Sequence, residues 1–89
     1  MSKEQNNQKE YKALHIADVR QRFLSVINTI APTTKLNEQV KGWLDDRDFV
    51  EILMEAELQF DCIIKEGETR IDDFDKVIDL VDWLASNVA

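Results

Sequence analysis

The sequence has one cysteine, one histidine, one proline and two glycines among its 89 residues. A single cysteine excludes a disulfide framework, so the chain must be held together by its core. So few glycines and prolines argue against an all-β fold, which needs turn residues about every dozen positions. No apolar run approaches the ~20 residues of a membrane span. Met1 to Lys12 is polar and lacks the apolar stretch of a secretory signal. These absences predict a soluble, cytoplasmic domain. Catalytic apparatus is equally scarce. A cysteine–histidine pair needs the two groups to meet and a third to orient the base, and nothing in the spacing joins His15 to Cys62. No glycine-rich phosphate cradle is present. No enzyme activity is expected.

What the chain does have is apolar residues and acid. At 44% hydrophobic it can build one small core, and its length suits a single domain. The net charge of −7 is unevenly spread. Met1 to Leu44 carries seven Lys/Arg against four Asp/Glu, whereas Asp45 to Ala89 carries four against fourteen. Such a surface is repelled by phosphate backbones and anionic lipid, which excludes nucleic acid and membrane as expected partners. It would steer association with a basic protein surface. Solubility alone would also account for acid on a small helical protein.

Residues 1–10 have no apolar position and read as a disordered tail, followed by one domain over 11–89. Ile16, Val19, Phe23, Val26, Ile27 and Ile30 recur at helical spacing up to Pro32, predicting a first helix from about Tyr11 to Ile30. A long connection, Ala31 to about Asp46, carries Leu36, Val40, Trp43 and Leu44, which predicts a loop packed onto the core. Asp45 and Asp46 offer N-caps for a second helix running to Phe60. Asp61 to Arg70 is a second connection turning at Gly67, with room for a short helical turn. Phe74, Val77, Ile78, Val81, Leu84 and Val88 predict a last helix over about Asp72 to Asn87, with Asp72 and Asp73 at its N-terminus. The expected core joins Phe23, Ile27, Leu53, Phe60, Val77, Ile78, Val81 and Leu84. The fold class is therefore all-α, a small three- to four-helix bundle with a long first loop.

The acid clusters Asp45-Asp46-Arg47-Asp48 and Asp72-Asp73-Phe74-Asp75 contain no glycine and lack the alternating ligands of a calcium loop. Helix capping accounts for both, and no metal is expected. The second helix is apolar around more of its circumference than one buried face requires. Phe49, Val50, Ile52, Leu53, Met54, Leu58 and Phe60 cannot all point one way. Some must be exposed or covered by loops, and apolar residues ringed by charge suit a partner site.

The segment Asp45 to Phe60, DDRDFVEILMEAELQF, resembles the second helix of the acyl carrier proteins. Val50-Glu51-Ile52-Leu53-Met54 matches the family's apolar–acidic run, Glu57 its later acid and Phe60 its phenylalanine. Asp45 and Asp48 match the two acids around its serine–leucine pair. Ile71-Asp72-Asp73-Phe74 leading into Val77 to Leu84 is similar in outline to the family's closing helix, and the likeness covers about residues 12–86. The departure falls on the family's attachment point. In this register the serine that accepts the 4′-phosphopantetheine arm is Asp46, and the following leucine is Arg47. No serine occurs between Ser25 and Ser86, so no shift of register restores it. A carboxylate cannot accept the arm by the usual phosphodiester chemistry, and no cofactor is expected.

The resemblance implies a carrier-like module without its arm, probing partners through the second helix. Val50 and Met54 match the family's apolar recognition positions, Arg47 replaces a third, and Asp45, Asp48, Glu51 and Glu57 keep the acidic frame. The implied partner is the basic surface of an acyl-transfer or condensing enzyme of lipid or polyketide assembly, met by a monomer. Two alternatives stay open. One is a genuine acyl carrier acting through an atypical site or a paired carrier; the other is an unrelated small regulatory helical protein.

Overall fold

The computed structural model describes residues 17–88; the expected tail over 1–10 and the part of the expected first helix over 11–16 lie outside the described residues. Helix α1 occupies residues 17–30. It presents Phe23, Val26 and Ile27 to the interior, the i, i+3, i+4 spacing that puts three side chains on one face. It stops where Pro32 can no longer donate to the ladder, and the Ala31 N–H makes its last bond, 2.8 Å to the Ile27 carbonyl. Helix α2, Asp46–Phe60, buries Phe49, Ile52, Leu53 and Ala56. Helix α3, Val77–Val88, buries Val77, Leu80, Val81 and Leu84. With a single 3-10 turn at Ile71–Asp73, these make an all-α three-helix bundle among the described residues.

Residues 31–45 form the long first connection, and it is part of the core. Val40 and Leu44 are buried beside the three helices. Thr34, the one buried polar residue among the described residues, donates its hydroxyl to the Ala31 carbonyl and accepts the Trp43 indole N–H at 2.7 Å. The connection also finishes α3. The first N–H groups of a helix have no partner within it. Here the Val77 N–H donates to the Glu38 carbonyl and the Ile78 N–H to the Leu36 carbonyl, each at 2.9 Å. Val40 returns a bond to the Asp75 carbonyl, and Gln39 and Lys76 form an isolated antiparallel bridge.

That pairing corrects the expected last helix. Lys76 is held in that bridge, so α3 begins at Val77, five residues after the expected Asp72. Asp72 and Asp73 belong to the 3-10 turn, where the Asp73 carboxylate accepts the Arg70 N–H at 3.0 Å. The acid in the first turn of α3 is Asp79, which accepts the Lys76 N–H. Phe74 lies outside the helix, half-buried against Phe49 and Trp83. Without Phe74 to set the phase, the buried stripe runs through Leu80, while Ile78 is only half-buried. Phe60 is half-buried too: it ends α2 and covers the core by stacking on Phe23, ring centroids 4.5 Å apart, with the Arg22 guanidinium over its ring. The other six expected core residues are buried.

Candidate protein-docking surface

The start of α2 is defined by its own acids. The Asp45 carboxylate accepts the Asp48 N–H at 2.9 Å, and the Asp48 carboxylate accepts the Asp45 N–H at 3.0 Å. This reciprocal box satisfies one orphan donor of the helix and the cap's own N–H, and sets negative charge against the positive end of the dipole. Asp46, the first helical residue, is exposed and accepts from the Arg70 guanidinium at 3.3 Å, across from the second connection. Arg47 points into solvent with its guanidinium 3.9 Å from Glu51, a spacing that contributes little between exposed groups.

The end of α2 is fixed by Glu57. Its carbonyl accepts from the Asp61 and Cys62 N–H groups while Asp61 turns into the left-handed region at φ 50°. Its carboxylate accepts the Ile64 N–H at 2.8 Å and so folds the next segment down, with Ile64 buried. Glu57 is half-buried and has a task within the fold.

Between these ends α2 buries one face and leaves apolar side chains on the other. Val50 is 54% exposed, Met54 64% and Leu58 76%. Their spacing of four places them in one row on the solvent side, about 12 Å long at ~1.5 Å per residue. Glu51 and Glu55 follow the row along one edge, and Glu55 accepts from the Gln59 amide one turn on. Thr29 and Ile30, at the end of α1, form the opposite wall of an open groove of about 590 Å³ whose other lining is Glu51, Met54, Glu55 and Leu58. Just beyond α2, Ile63 is 81% exposed. Isolated exposed apolar residues need no explanation, but a contiguous row of them beside a groove is a candidate contact surface.

The seven expected contact residues therefore divide. Val50, Glu51, Met54 and Arg47 lie on the open side of α2. Asp45 and Asp48 are engaged in the capping box, and Glu57 in holding Ile64. Leu58 was legible as the next member of the Val50–Met54 row; Thr29 and Ile30 carried no signal, because only the packing of the chain brings them there. Cys62 is half-buried against the core, and His15 lies outside the described residues. Among the described residues, no three His, Cys, Asp or Glu side chains gather as a metal site, and no helix is long and apolar enough to cross a membrane. Comparison with known protein families, curated proteins and solved structures finds no match to this chain.

Proposed function

We propose that this chain is a non-catalytic helical module that docks through the open face of α2 onto a basic surface of another protein. The observation that carries the reading is the row of Val50, Met54 and Leu58, more than half exposed on a helix whose flanks are acidic. An exposed apolar row costs solubility unless something uses it, and the surrounding acids keep the free protein apart while steering a cationic partner. The resemblance of Asp45 to Phe60 to the second helix of acyl carrier proteins makes an acyl-transfer or condensing enzyme the favoured partner class. In that frame Asp46 stands at the start of the helix as a carboxylate without a nucleophilic hydroxyl, so the module would act by contact alone.

Two measurements test this. A photo-crosslinking residue at Met54, expressed in the native host, should give adducts that fade when Glu51 is changed to Lys. Equal adducts from a probe at Gln21, exposed on α1, would refute the docking face. A promiscuous phosphopantetheinyl transferase with coenzyme A should leave the parent mass unchanged, whereas Asp46→Ser with Arg47→Leu should gain the arm. The introduced hydroxyl sits at a helix N-terminus, where an incoming phosphate is favoured. A folded double variant that stays inert counts against the carrier resemblance.

A further inference from the structure

We infer that the occupant of the groove between the end of α1 and the open face of α2 is an amphipathic helix of a partner protein, apolar along one stripe and flanked by Lys or Arg. This rests on the docking face proposed above and names what fills it. Three recurring modes of segment recognition can be compared against the geometry. Strand addition needs a free sheet edge, and the described residues contain one isolated bridge and no sheet. Polyproline recognition needs an aromatic-lined groove, and this one is lined by Thr29, Ile30, Met54 and Leu58 with two glutamates. A helix laid in a groove needs a straight apolar row with room beside it, and the Val50–Met54–Leu58 row with the groove on its flank supplies both.

Charge chooses among helices. Glu51 and Glu55 line the groove, the first turn of α2 adds the exposed Asp46 against one cation, Arg47, 3.9 Å from Glu51, and the last turn has no basic residue. A partner helix with cations beside its apolar stripe would meet carboxylates along this length. A second copy of the same face would set Glu51 and Glu55 against their own kind, on a chain of net charge −7. Met54, unbranched and exposed at the middle of the row, can adapt to the shape of the incoming side chains.

The test uses the full chain and three synthetic peptides of about 16 residues, long enough for a marginal helix. The first carries Leu on one helical stripe and Lys on its flanks. The second has the same residues shuffled so that no helical face is apolar, and the third replaces Lys by Glu. Affinity is measured by titration, and the site is mapped by amide chemical shifts. The first peptide should perturb Thr29, Ile30, Glu51, Met54, Glu55 and Leu58. It should bind about tenfold or more tighter than the shuffled one, while the Glu peptide should fail to bind. Met54→Gln with Leu58→Gln, which keeps helix propensity, should weaken binding about tenfold at unchanged melting temperature.

Equal binding of the shuffled peptide at the same residues would overturn the helical occupant and leave the acidic docking face standing. Binding elsewhere by both Lys peptides, with no shifts on α2, would overturn both. Concentration-dependent shifts on this face without peptide would make a second copy the occupant and overturn the inference.

Discussion

Two leucines on the same helix should respond to very different degrees to the same change. Leu53 is 4% exposed in the middle of the core, and Leu58, five residues on, is 76% exposed. Leu53→Ala removes three buried carbons and leaves a hole between α2 and its neighbours. The transfer loss and the cavity together cost about 2–5 kcal/mol. Leu58→Ala gives up only the quarter of its surface that is covered, about 0.5 kcal/mol of transfer with no cavity, and alanine's helix propensity offsets part of that. Urea unfolding followed by far-ultraviolet circular dichroism reads the difference. With a slope near 1 kcal/mol per molar, Leu53→Ala should lower the midpoint by about 2 M or more, most of the stability of a small domain. Leu58→Ala should move it by less than about 0.5 M at unchanged slope. A Leu58→Ala variant that loses as much as Leu53→Ala would show that the chain itself covers this face, and the docking surface would be lost with it.

Asp45→Ala removes the side-chain half of the capping box of α2 and should cost about 1 kcal/mol, whereas Asp45→Asn should retain most of the stability. Equal melting temperatures for parent and Asp45→Ala would refute the cap. Thr33 is a β-branched residue at φ 70° on an exposed turn, so Thr33→Gly should relieve strain. The expected gain is about 0.5–1 kcal/mol, seen as a rise of several degrees in melting temperature; a fall would refute it. With fourteen acids after Leu44, moderate sodium chloride near neutral pH should raise the melting temperature by screening self-repulsion. The shortest ion pair among the described residues, Arg20 with Asp82 at 2.8 Å, is too solvated to reverse the sign. A lower melting temperature in salt would contradict this account.

How far the sequence could be read follows from where each structural decision is made. The start of α2 was legible at Asp45 because its cap is local: both bonds of the box lie within four consecutive residues. The end of α1 was legible at Ile30 for the same reason, since Pro32 acts on its own turn. The start of α3 was not, because its first N–H groups are satisfied by carbonyls of Leu36 and Glu38, some forty positions earlier. Helical period alone then admitted Phe74 to the stripe, and that error of phase put Ile78 in the core in place of Leu80. Dropping Phe74 leaves Val77, Leu80, Val81 and Leu84, a plain i, i+3, i+4, i+7 row.

The candidate face was half legible for a related reason. Counting apolar residues on α2 shows that one face cannot hold them, but which residues are left outside depends on the direction of α1 and α3. Acids raise the same difficulty, since a glutamate in a sequence does not show whether it serves the fold. Asp45, Asp48, Asp73 and Asp79 each accept a backbone N–H at the start of a turn or helix, and Glu57 holds the Ile64 N–H. Asp82 is paired with Arg20, and Asp46 meets Arg70. On α2 that leaves Glu51 and Glu55, whose contacts are a 3.9 Å approach to Arg47 and an amide of Gln59. Neither contact holds the bundle together. The two carboxylates that the fold of α2 uses least are thus the two that line the groove beside its exposed apolar row, and the docking proposal rests on that coincidence of spare charge and spare apolar surface.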